Sequence, residues 1–111
     1  MSDRELLELA AKAAGIDVRW YQGDCLRVAD KCNGFAGKWN PITDDGDALR
    51  LAVKLKFHVG INPGNKVFCT PTYSDKPTVF ESCERDGAQD PLAATRRAIV
   101  RAAAEIGRQM L

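Results

Sequence analysis

Aromatic residues are scarce in this chain, histidine occurs once, and no apolar run approaches the length of a membrane span. Aromatics make up 7% of the 111 residues, with two tryptophans and two tyrosines. A bilayer-spanning helix needs about 20 consecutive apolar residues, and no such stretch is present, so the chain is expected to stay out of membranes. Ser2, Asp3, Arg4 and Glu5 near the start lack the basic opening and apolar run of a secretory signal, which predicts a cytosolic protein. Charge of one sign is lacking too. Sixteen basic side chains against fifteen acidic ones leave a net charge of +1, so no global field steers the chain onto nucleic acid or an acidic membrane. A local basic patch remains compatible with that balance. There is no P-loop, no dinucleotide-binding glycine fingerprint, no Gly-x-Ser-x-Gly elbow and no zinc-hydrolase motif.

Four cysteines are present, Cys25, Cys32, Cys69 and Cys83. An even number invites a disulfide reading, but a cytosolic setting keeps thiols reduced. Their spacings are wider than those of zinc knuckles and thioredoxin-like motifs. They are therefore expected to be free thiols acting as small apolar side chains, with no metal and no cofactor.

The apolar fraction of 45% and charged fraction of 28% suit a single globular domain over residues 1–111. Ser2 to Ala14 predicts a helix. Ser2 and Glu5 have capping-box spacing, Leu6, Leu9, Ala10 and Ala13 form a stripe, and Gly15 stands where a left-handed cap is wanted. Val18 to Ala29 predicts a hairpin about Gly23-Asp24. If Gln22 opposes Cys25, Trp20 opposes Arg27, and the two form a cation–π pair. After a loop over Asp30 to Lys38, Pro41 holds Asn40 extended, and Thr43 or Asp44 caps a second helix. Ala48, Leu49, Ala52, Val53 and Leu55 are its expected buried side. Phe57 to Ile61, Val67 to Thr72 and Thr78 to Glu84 read as strands, with Pro71 at an edge or at the end of its strand's pairing. Asp90 caps a last helix with Pro91 at its first position. Leu92, Ile99, Ala103, Ile106 and Met110 are its expected core stripe, and its alanines allow close packing. The fold class is α+β, with about three helices around a mostly antiparallel sheet of about five strands, a layered sandwich.

Three blocks carry a family likeness. They are Ser2-Asp3-Arg4-Glu5-Leu6-Leu7-Glu8-Leu9-Ala10-Ala11-Lys12-Ala13-Ala14-Gly15, the run from Trp39 through Asn40-Pro41-Ile42-Thr43-Asp44-Asp45-Gly46-Asp47 to Ala52, and the helix opening Asp90-Pro91-Leu92 and running to Gly107. Together they resemble, in order, the phage α-β-α sandwich domain, a family of small phage and prophage proteins. The likeness covers a little under half of the chain. It implies an α/β/α sandwich and a phage or prophage origin, and it implies no activity.

Several side chains invite chemistry. Asp44, Asp45 and Asp47 lack the spacing of a calcium loop and fit a helix start, where the dipole favours negative charge. His58, in the simplest register, opposes Cys69, with Cys83 nearby, as a zinc or nucleophile–base arrangement requires. A strand histidine with a backbone partner is the plainer reading. Arg96, Arg97, Arg101 and Arg108 suit either phosphates or a solvated helix face paired with carboxylates. Trp20, Tyr21, Arg27, Lys31, Lys38, Tyr73 and Lys76 are the expected binding residues. They are anchoring or anion-holding side chains in loop-rich stretches that the helical blocks do not explain.

The leading expectation is a non-catalytic phage or prophage accessory protein in the host cytoplasm, binding a host protein such as a defence component. The second is a sponge for a small nucleotide-derived signal, stacked on an aromatic ring and held by arginines. The third is an enzyme using His58 and a cysteine. The partner is thus a host protein or a small anionic ligand, with no strong signal for nucleic acid, and self-association stays open.

Overall fold

A computed structural model describes residues 2–21, 25–28, 37–61, 66–71, 79–82 and 91–110. Among these described residues, three helices and five strands follow the expected order: α1 (Asp3–Ala14), β1 (Val18–Tyr21), β2 (Cys25–Val28), α2 (Asp45–Leu55), β3 (Phe57–Ile61), β4 (Lys66–Pro71), β5 (Val79–Ser82) and α3 (Pro91–Arg108).

The ends of α1 follow local chemistry. The Ser2 side chain accepts the Glu5 backbone N–H at 3.2 Å, satisfying one of the donors that a helix start leaves free. At the other end Gly15 takes φ 72°, and its N–H reaches the Lys12 carbonyl while that of Ile16 reaches Ala11. This is the Schellman pattern, and Ile16, buried against the core, supplies its apolar contact. A residue with a Cβ is strained at that φ, which is why glycine stands there.

Asn40 builds the entry to α2. Its side-chain carbonyl accepts the Ile42 N–H, its backbone carbonyl accepts from Thr43 and Asp44, and its own N–H donates to Asp47. Pro41 and Trp39 are fully buried beside this turn. Asp44, rather than Thr43, is the cap, accepting the Asp47 N–H at 2.8 Å. The buried side of α2 is Ala48, Leu51 and Ala52, with Leu55 packed against the core. Leu49 and Val53, expected inside, are 64% and 67% exposed. They form a second apolar row about 100° round the helix, and only one row can face the core.

The strands form two sheets, one of two strands (β1-β2) and one of three (β3-β4-β5), all antiparallel. A five-stranded sheet between helix layers is therefore corrected to two small sheets, and the α+β class stands. In the first sheet Tyr21 pairs with Cys25, Trp20 with Leu26 and Arg19 with Arg27. The expected Trp20–Arg27 pairing is off by one. The expected Gly23-Asp24 turn lies outside the described residues. Pairing of Tyr21 with Cys25 shifts the register by one residue, which exchanges every partner. The same happens in the second sheet. Val59 pairs with Cys69 and His58 with Thr70, so His58 and Cys69 lie on opposite faces. Pro71 is the last residue of β4 and pairs with Phe57 of β3, and among the described residues the pairing with β5 runs from Lys66 to Cys69. β4 is nonetheless the central strand, so its edge placement is overturned.

Helix α3 is the spine of the core. Ala94, Ala98, Ile99, Val100, Ala102, Ala103 and Ala104 are buried. Leu92 and Met110, expected in the stripe, are 62% and 41% exposed, and Ile106 is half-buried. Small side chains let α1 approach closely: a Cβ added at Gly107 would run into the backbone carbonyl of Leu9. Val67 and Cys69 of β4 are buried on the face that α3 covers. The expected cap at Asp90 lies outside the described residues.

Candidate functional site

Strand alternation sorts the first sheet into two faces. Val18, Trp20, Leu26 and Val28 point inward, Leu26 and Val28 buried and the other two half-buried. Arg19, Tyr21 and Arg27 point outward and are exposed. The chain then returns alongside β2. The Val28 N–H donates to the Gly37 carbonyl and the Trp39 N–H to the Leu26 carbonyl, both at 2.9 Å. This places Lys38 opposite Arg27 in an antiparallel bridge and directs Lys38 outward while Trp39 enters the core.

Three cations thus stand in one row across three chain segments, Arg19 opposite Arg27 and Arg27 opposite Lys38. The flanking bonds of Leu26 and Val28 make Arg27–Lys38 a non-hydrogen-bonded pair, the closer kind, with Cα atoms about 4.5 Å apart; the Arg19–Arg27 pair stands about 5.5 Å apart. Among the described residues no carboxylate pairs with any of the three. Tyr21, 49% exposed, extends the same face two residues along β1 from Arg19. Like charges directly opposite one another on a sheet are destabilising, and this row has two such contacts in succession.

Other expected site residues go elsewhere. Trp20 is tied to α1: its Nε1–H donates to Glu8 at 2.7 Å, and the Arg4 guanidinium sits 4.0 Å from the ring centroid. Arg4 therefore takes the cation–π role expected of Arg27. Lys31, Tyr73 and Lys76 lie outside the described residues. Arg19 is the member of the row that sequence pattern does not single out. Its signal is alternation with Trp20, and only the true register turns that into an alignment with Arg27 and Lys38.

The remaining candidates have structural partners. Arg96 donates to the Ile42 carbonyl at 2.7 Å and to Asp45 at 2.6 Å, clamping α3 to the α2 entry. Arg97 pairs with Asp3 at 2.9 Å and Arg108 with Glu105 at 3.1 Å. Each acidic residue of the α2 start is engaged: Asp44 with a backbone N–H, Asp45 with Arg96, and Asp47 with Asn40 and Arg50. His58 is exposed. Cys69 is a buried free thiol, and burial pushes its pKa up to about 12, so it stays protonated and poorly nucleophilic near neutral pH. Register and protonation both separate His58 from any joint chemistry with Cys69. Among the described residues no three His, Cys, Asp or Glu side chains gather as a metal site, and no helix is long and apolar enough to cross a membrane.

No family model, no curated protein and no solved structure matches the chain.

Proposed function

We propose that this domain is a non-catalytic binding module and that its working surface is the outward face of the β1–β2 sheet. The observation that carries this is the in-register row Arg19–Arg27–Lys38, with no carboxylate partner among the described residues. A row of opposed like charges costs stability in the free fold, and an anionic partner removes that cost by supplying the missing counter-charge. Arginine suits the role because its planar fork bonds carboxylate or phosphate through two N–H groups.

Replacing Arg27 and Lys38 together by threonine tests the reading. Threonine is at home on a strand, so the variant is expected to melt at the same temperature as the parent or higher. Retention on immobilised inorganic polyphosphate is expected to fall sharply. A variant that binds polyphosphate like the parent would place the contact surface elsewhere.

A second reading, contact with a host protein through α2, draws on Leu49 and Val53, one turn apart and both about two-thirds exposed. Captured partners lost on Leu49→Asp but kept on the Arg27/Lys38 variant would favour it.

A further inference from the structure

Resting on that reading of the hairpin face, we propose that its ligand is single-stranded nucleic acid, its phosphates held by Arg19, Arg27 and Lys38 and one base stacked on Tyr21. Arg19, Arg27 and Lys38 stand in one outward row on β1, β2 and the adjoining segment, with the exposed Tyr21 ring two residues along β1, at the position opposite Cys25. A protein partner needs an apolar centre to its interface, ringed by polar groups, and the described side chains of this face form no such centre. A strand of nucleic acid needs the reverse: charges spaced along a backbone and an aromatic ring on which a base of any sequence can stack. Sheet surfaces serve this way in the common RNA-binding modules, with rings and basic side chains projecting from neighbouring strands. The row crosses two inter-strand steps, about 10 Å between its outer Cα atoms by the spacing of antiparallel pairs, a footprint of few nucleotides. Duplex binding fits poorly, since it depends on neutralising many phosphates and the whole chain carries only +1. A free nucleotide shares the base-plus-phosphate chemistry, but a strand places more than one phosphate group along the row.

The test is fluorescence anisotropy of the full chain with labelled oligothymidylate across a range of salt concentrations. Thymidine triphosphate, inorganic polyphosphate and polyglutamate serve as competitors. For single strands the logarithm of affinity falls with that of salt by about 0.7 per phosphate neutralised, so three cations give a slope of about −2. Arg27→Ala is expected to reduce the slope by about 0.7. Tyr21→Ala is expected to weaken binding roughly 5- to 150-fold, by loss of stacking, and to leave the slope unchanged. Tyr21→Phe, which keeps the ring, is expected to restore it. Melting temperatures establish that each variant is folded. Thymidine triphosphate competing as well as the unlabelled strand would overturn the strand in favour of a free nucleotide. Indifference to Tyr21→Ala, or equal competition by polyglutamate, would overturn the nucleic-acid assignment and leave an anion-binding face standing. Failure of oligothymidylate, polyphosphate and polyglutamate alike to bind would overturn both.

Discussion

At the residue scale, two positions carry sharp consequences. Asp47 is half-buried and its pKa is raised, first by burial and then by the neighbouring Asp44, against the lowering effect of the Asn40 N–H and Arg50. A carboxyl whose folded pKa lies above its unfolded value destabilises the fold once it ionises. That penalty is absent at low pH and appears as pH rises past the ordinary value of 3.8. Asp47→Asn keeps an acceptor for the Asn40 N–H and gives up a charge in the first turn of α2 and an ion pair to the exposed Arg50, each worth little. The variant is expected to match or exceed the parent's stability at pH 7. Denaturant melts at pH 7 and pH 3 should show any advantage disappearing in acid; an advantage that grows in acid would contradict the reading. Gly107 meets the Leu9 carbonyl at the α1–α3 crossing. Alanine there gains about 1 kcal/mol in helix propensity, but a backbone atom cannot rotate aside as a side chain can. The helices must part, and Gly107→Ala is expected to lose about 1–3 kcal/mol net, the usual cost of overpacking, by chemical denaturation. A stabilised variant would mean the crossing is looser than described.

At the element scale, helix boundaries were legible in the sequence and strand partners were not. Ser2, Gly15, Asp44 and Pro91 act on their own first or last turn, so their meaning is local. The core face of α2 was only half legible, because Ala48 and Ala52 compete with the row Leu49 and Val53 at the same helical spacing. The larger pair lost, because Leu51 lies on the side of Ala48 and Ala52, and that row is the one buried in the core. Register was illegible because it depends on connection length, and a shift of one residue exchanged Trp20 for Arg19 opposite Arg27. That shift is what aligns the candidate site, so the site was legible as residues and not as geometry. In α3, Ile99 is 4% exposed and Ile106 half-buried. Ile99→Ala is therefore expected to cost about 2–5 kcal/mol, as deletions in a packed core do, and Ile106→Ala distinctly less. Equal losses in urea melts would move Ile106 into the core.

At the scale of the whole molecule, structural and candidate functional side chains occupy different parts of the surface. The last helix spends Arg96, Arg97 and Arg108 on ion pairs within the molecule, while the hairpin sheet leaves Arg19, Arg27 and Lys38 without a carboxylate among the described residues. A net charge of +1 concealed this division, since sequence totals carry no position. That two small sheets form instead of one was likewise invisible, because pairing between distant strands leaves no local mark. The most direct measurement is a titration of the isotopically labelled chain with oligothymidylate, read as amide chemical-shift changes. The largest changes are expected at Arg19, Tyr21, Arg27 and Lys38, with α3 unmoved. Changes centred on Arg96, Arg101 and Arg108, with the hairpin silent, would contradict the assignment of the working surface.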